Sequence, residues 1–148
     1  MFYTVSEMAK KLSIAPSTLR YYDQEGLLPF VSRSSNGIRV FKDSDYENLQ
    51  IIECLKKAGM QLKDIKNFML LAMEGDQTID ARLELIYQQY AEVEKQMAEL
   101  QETLETLAFQ CWYYETAKTA GTTDYPRNLP EEELPAKFRI IRKRLSGK

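Results

Sequence analysis

The 148-residue sequence contains no histidine. That absence removes imidazole both as a general base and as a metal ligand. Cysteine is nearly as scarce, with Cys54 and Cys111 the only two. Two thiols make no disulfide framework, and without histidine they form a poor site for zinc or copper. No metal and no cofactor is therefore expected. A cysteine nucleophile also needs a partner to take its proton, and there is no glycine-rich phosphate loop, so the chain does not read as an enzyme. No apolar run approaches the roughly 18 residues of a membrane span, and the opening MFYTVSEMAKK lacks the apolar core of a signal peptide. The expectation is a cytoplasmic protein with no membrane partner.

What is present is 44% apolar and 28% charged, the balance of an ordinary globular chain. The formal net charge is −2, but it is unevenly spread. Residues 1–42 hold six basic side chains (Lys10, Lys11, Arg20, Arg33, Arg39, Lys42) against three acids (Glu7, Asp23, Glu25), whereas residues 76–115 are strongly acidic. Nucleic-acid binding depends on a local basic face rather than on the whole-chain sum.

The basic segment has a readable pattern. Thr4-Val5-Ser6-Glu7 is a capping box that predicts a helix from Val5 to about Leu12. Val5, Met8, Ala9 and Leu12 recur at helical spacing on one face. After Ser13-Ile14-Ala15, Pro16 occupies the favoured first position of a second helix that Gly26 ends. Two short helices with so brief a break make a helix-turn-helix. Val31–Arg33 and Arg39–Phe41 then flank Ser34-Ser35-Asn36-Gly37, and Asn-Gly predicts a hairpin. A third helix is expected from Asp43 or Ser44, with Ser44 and Glu47 as its capping box, burying Leu49, Ile52 and Leu55 until Gly59. A fourth spans about Leu62–Glu74 and ends at Gly75.

From Thr78 the period changes. Ile79, Leu83, Ile86, Tyr90, Val93, Met97, Leu100, Leu104, Leu107, Cys111 and Tyr114 step by four and three without a glycine or proline between them. This is the seam of a coiled coil. One chain of this size has nothing with which to cover so long a stripe, so a second copy is the simplest partner. The remainder, 119–148, has three prolines, an acidic triplet at Glu131–Glu133 and the basic ending KFRIIRKRLSGK. It reads chiefly as a frayed solvated tail, alternatively with its last stretch as a short amphipathic basic helix. The expected organisation is a DNA-binding domain over 1–75, a dimerisation helix over 76–118 and a tail over 119–148.

The stretch TLRYYDQEGLL followed by GIRVF, continuing through DYENLQIIECLKKAGMQLKDIK, resembles the MerR family of transcription regulators over roughly residues 1–118. The resemblance implies a mainly α fold: a winged helix-turn-helix with a small β-hairpin wing, followed by a long antiparallel coiled-coil helix joining two subunits. It implies double-stranded promoter DNA as partner. A homodimer would bend and untwist an over-long promoter so that RNA polymerase can engage it, a change in DNA shape rather than a base-by-base reading. Ala15 departs from the serine usual at the second helix's cap, a loss of roughly 0.5–2 kcal/mol.

Within that frame Ser17, Thr18 and Arg20 lie in the first turns of the recognition helix, where side chains reach base edges and phosphates. Tyr21 and Tyr22 point about 100° apart, so one should pack inward while the other offers its hydroxyl to phosphate. Arg33 and Arg39, on the two arms of the wing, and Asn36 and Gly37 at its tip are candidate backbone contacts. A surface pairing of the arginines with acids is the alternative. Lys57, with Lys56 and Lys63, flanks Gly59 as a further candidate. A coiled-coil adaptor with vestigial DNA binding is the competing function, and the intact wing arginines weigh against it.

Cys54, in IIECLKKAGM, resembles the single third-helix cysteine of the branch that answers aldehydes, other electrophiles or nitrosative stress. Its partner would then be a small-molecule electrophile. The other reading is a small residue packed between Ile52 and Leu55. Cys111 reads as a seam filler. In an antiparallel pair, Phe109, Cys111, Trp112, Tyr113 and Tyr114 would approach the partner's DNA-binding domain, as an effector pocket or a packed coupling joint. The chain leaves no length for a separate effector domain.

Overall fold

The capping box forms as the sequence requires. In the computed structural model, which describes residues 1–147, the Thr4 amide donates to the Glu7 carboxylate at 2.8 Å and the Glu7 amide donates back to Thr4 Oγ1 at 3.3 Å. The Thr4 amide, and then the Thr4 hydroxyl donating to the same carboxylate at 2.9 Å, hold the Glu7 carboxyl below its usual range. Helix α1 (Val5–Leu12) buries Met8 and Ala9 and stops at Ser13, which takes a left-handed conformation (φ 58°). Helix α2 (Pro16–Gln24) starts from Ala15 without a side-chain cap and buries Leu19 and Tyr22. Gly26 follows at φ 75°, a left-handed conformation that selects glycine.

Three short strands lie in the order β1-β3-β2: β1 (Phe2–Tyr3), β2 (Ser32–Arg33) and β3 (Arg39–Lys42). Both pairings are antiparallel, with Tyr3 opposite Phe41 and Arg33 opposite Arg39. The hairpin is the expected one. Strand β1 was not anticipated, because two residues carry no periodicity.

Helix α3 (Asp43–Lys57) begins where expected, but the cap differs. The anticipated Ser44–Glu47 box gives way to the Lys42 amide donating to Asp45 Oδ2 at 2.8 Å, with Asp45 buried. Helix α4 (Leu62–Glu74) ends at Gly75, and a 3-10 turn at Asp76–Thr78 leads into α5 (Ile79–Ala120). Thr78 is buried there; its hydroxyl donates to the Leu71 carbonyl at 2.5 Å, and Arg82 donates to the Gly75 carbonyl at 3.1 Å.

Two compact units are present, Met1–Val93 and Glu94–Lys148, with the division inside α5. The first unit has one core, in which Met8, Leu19, Tyr22, Leu27, Phe41, Leu49, Ile52, Ile65 and Met69 are essentially fully buried. Gln89 ties α5 to the end of α3 by donating to the Ala58 carbonyl at 2.6 Å.

The second unit corrects the solvated-tail reading. Residues 119–147 fold as α6 (Asp124–Asn128), a 3-10 turn at Glu131–Glu133 and α7 (Ala136–Leu145). Leu134, Phe138 and Ile141 pack on Phe109 in a second core. Helix α7 is amphipathic: Phe138 and Ile141 share one face, while the arginines reach backbone carbonyls. Arg142 donates to the Leu129 carbonyl at 2.7 Å and the Arg127 carbonyl at 2.6 Å. Arg144 donates to Glu102 at 2.6 Å.

The α5 stripe stays open in the single chain. Leu100, Leu104 and Leu107 are 68%, 60% and 56% exposed. Ile79, Leu83, Ile86, Tyr90 and Met97 are exposed as well, and Val93 is half-buried. Among the described residues, no helix is long and apolar enough to cross a membrane.

Candidate nucleic-acid interface

Helix α2 is two-faced by construction. Leu19 and Tyr22 point into the core, which leaves Ser17, Arg20 and Tyr21 exposed on the opposite side and Thr18 half-buried at its edge. Arg20 has no hydrogen-bond or ion-pair partner among the described residues, so its guanidinium is available for an anion.

The two tyrosines separate as adjacent helical residues must. Tyr21 is 43% exposed, whereas Tyr22 is 0% exposed. Tyr22 donates its hydroxyl to Glu53 and accepts from Lys56 Nζ at 3.0 Å, with that ammonium also 5.0 Å from the ring centroid. Burial, and then the Glu53 carboxylate, push its phenol above the ordinary tyrosine value. The Tyr22 hydroxyl is thus committed inside the domain, and Tyr21 is the ring left on the surface.

The wing is a tight hairpin. Gly37 N–H donates to the Ser34 carbonyl at 2.9 Å, and Ser34 N–H donates to the Ile38 carbonyl at 2.7 Å. Gly37 takes φ 76° with open space around it, and Asn36 is exposed beside it. Arg33 and Arg39 do not stand free. Both donate to Oδ2 of Asp23, in the last turn of α2, Arg33 at 3.0 Å and Arg39 more closely. The Arg39 bond foremost, and the charge of both guanidiniums, hold the Asp23 carboxyl below its usual range. The anticipated alternative, arginines paired with an acid, thus describes the free chain, although the acid comes from the recognition helix. Asp23 was missed because sequence counting treated it as an adverse charge. The available signal was an acid in the preceding helix combined with two arginines at matched hairpin positions.

Lys57 is exposed at the end of α3. Cys54 is exposed too, which overturns its reading as a residue packed between Ile52 and Leu55. Those two turn inward and leave it on the outer face, in a shallow pocket with the Leu12–Ile14 turn, Tyr46, Gln50, Glu53 and Lys57.

The aromatic cluster on α5 is largely spent within its own chain. Phe109 is buried, with ring centroids 5.8 Å from Trp112 and 5.6 Å, edge-on, from Phe138. Tyr113 donates to the Thr123 carbonyl at 3.2 Å. Helix α7 covers Phe109 within its own chain. Cys111 and Tyr114 face outward.

The geometry is a short two-faced helix beside a basic hairpin. The sequence profile described as MerR HTH family regulatory protein matches residues 3–71, and one described as MerR, DNA binding matches residues 46–108. An uncharacterised HTH-type transcriptional regulator of Haemophilus influenzae is 44% identical over 131 residues, spanning 88% of this chain and 96% of that protein. The chain belongs to the MerR family. It is a DNA-binding transcriptional regulator, and these relatives are regulators rather than enzymes. The crystal structure of HiNmlR, described as a MerR family regulator lacking the sensor domain and bound to promoter DNA, is 43% identical with a TM-score of 0.75. That similarity covers 84% of this chain and 99% of HiNmlR. A MerR family regulator from Bacillus thuringiensis is 38% identical with a TM-score of 0.69, covering 75% of this chain and 97% of that one.

Proposed function

We propose that this MerR-family chain works as an antiparallel homodimer that grips a near-palindromic promoter and distorts it, so that RNA polymerase can engage both promoter elements. The observation that carries the reading is the apolar stripe on α5. Leu100, Leu104 and Leu107 lie more than half exposed on a helix that is otherwise acidic. A stripe of this kind in water calls for a matching apolar surface, and a second copy of the same helix supplies it. Two copies then present two α2 helices and two wings. Ser17, Thr18, Arg20 and Tyr21 are the helix contacts, with Arg33, Asn36, Gly37, Arg39 and Lys57 around them.

The signal in this reading is an electrophile, and its acceptor is Cys54. The thiol is exposed and borders the Leu12–Ile14 turn that carries α2. A relative described as lacking the sensor domain fits a signal received by the DNA-binding domain itself.

The decisive variant is Leu104→Glu, which sets a buried carboxylate into the apolar seam between the two helices. The wild-type chain should sediment as a dimer and protect two half-sites in a footprint. The variant should sediment as a monomer, keep its helical circular dichroism and protect neither half-site. A variant that stays dimeric with an intact footprint removes the α5 stripe from the interface.

A further inference from the structure

We propose that Asp23 is a positioning residue for DNA recognition: it clamps the wing to the recognition helix, making Arg39 an internal strut and leaving Arg33 as the guanidinium the wing offers to DNA. The proposal rests on the reading that α2 and the wing face DNA.

A single carboxylate oxygen, Asp23 Oδ2, accepts from both arginines. Those arginines face each other across the hairpin, one on each arm, so one anion holds both arms at once. Asp23 also lies three residues after Arg20, which places the clamp next to the reading face of α2. The arginines differ in how much they leave to solvent. The Arg39 side chain is 22% exposed and its Nε is buried with no hydrogen-bond partner. A guanidinium held in that way has given up hydration that only the Asp23 contact offsets. The Arg33 side chain is 54% exposed, and its Nη1 steadies the turn through the Gly37 carbonyl at 3.3 Å. Arg33 thus keeps a solvent-facing edge while Arg39 does not.

The wing needs such a clamp. Strand β2 has two residues and β3 has four, and a ribbon this short is marginal without a tertiary contact. Reading a groove with a helix while touching backbone with a wing requires the two at a fixed separation. A loose wing would have to be ordered on binding, at a loss of affinity. Charge counting and positioning then make opposite predictions for removing the carboxylate. Deleting an anion beside DNA should strengthen binding if charge alone matters, whereas loosening the wing should weaken it.

The test measures anisotropy of the full-length protein on two labelled duplexes across a salt series. One duplex is selected by the protein from a random pool, and the other is a scramble of the same length. Asp23→Asn should lower affinity for the selected duplex on the order of tenfold, while affinity for the scramble holds or rises. Arg39→Lys keeps the charge but loses the fork, and should reproduce that loss. The double variant should be no weaker than the weaker single, because both remove one contact. Arg33→Ala should instead reduce the salt slope by about one. Unchanged or stronger binding of the selected duplex by Asp23→Asn overturns the clamp, as do additive losses in the double variant or parallel losses on both duplexes. Arg20→Ala separates the two levels of the argument. If it leaves binding intact, the DNA face itself is misassigned. If it weakens binding while Asp23→Asn does not, only the clamp fails.

Discussion

Phe138→Ala is expected to release α7 from α5. The ring is 4% exposed and meets Phe109 edge-on at 5.6 Å and Trp112 at 5.6 Å. Truncating a buried phenylalanine costs about 3–5 kcal/mol through lost transfer energy and the cavity left behind. The second core has little reserve against such a loss, because its buried members are Phe109, Leu134, Phe138 and Ile141. A buried aliphatic or aromatic side chain contributes about 1.5–3 kcal/mol, while ordering each backbone residue of α7 costs about 1–2 kcal/mol. Removing one of the two buried phenylalanine rings of the cluster should therefore detach the helix rather than merely soften it. Trp112 is the only tryptophan, so its emission reports on this contact without interference. The variant should show a red-shifted maximum and rapid tryptic cleavage among Arg139, Arg142, Lys143 and Arg144, while its far-ultraviolet dichroism loses only a small helical fraction. An unshifted Trp112 spectrum together with wild-type resistance to trypsin would mean that Phe138 does not hold α7 in place.

Two further outcomes follow from the first unit. Tyr22 favours its protonated form in the native state, because burial and Glu53 raise its pKa above the ordinary value of about 10. The stability tied to that preference is complete below the unfolded tyrosine value and drains away as pH climbs toward the native one. Tyr22→Phe should lose about 1.5–3 kcal/mol at neutral pH for the missing bond to a charged acceptor. It should also show a smaller drop in urea midpoint between pH 8 and pH 11 than the wild type; an identical alkaline drop would relocate the effect to other groups. Cys54→Ser should bind promoter DNA as the wild type does but lose its transcriptional response to an aldehyde, read in a reporter strain. A serine variant that stays fully inducible would strip Cys54 of the sensing role.

How much of this was legible in the sequence follows from the range of the forces involved. Local rules located α1 through α4, because capping residues, Pro16, Gly26, Gly59 and Gly75 act within one or two turns. The long period from Ile79 was equally plain. Contacts across many residues were not. Strand β1 is fixed by pairing Tyr3 with Phe41, which no short window reveals. Asp45 displaced the predicted Ser44–Glu47 cap because the N-cap falls on Lys42, at the end of β3 and two residues before Ser44. The exposure of Cys54 depended on which face of α3 the core claims, and Ile52 and Leu55 claim the opposite one. Helix α7 was misjudged for a related reason. Its arginines were read as solvated charge, yet Arg139 and Arg142 spend their donors on carbonyls of the loop beneath them.

The same reasoning explains how a chain of net charge −2 presents a DNA-binding face. Phosphates respond to charges within about one Debye length, roughly 8 Å at physiological salt. Beyond that range the carboxylates of α5 count for little, and the local composition of α2 and the wing decides. There the one acid on the inner side of the wing is Asp23, and its charge is shared between Arg33 and Arg39. Two guanidiniums on one carboxylate leave the wing base net positive, so the acid does not forfeit the attraction that brings phosphate near. A sum over residues counts Asp23 as opposing DNA. In the folded domain, where its charge is enclosed by cations that it also orients, the same residue works in favour of binding.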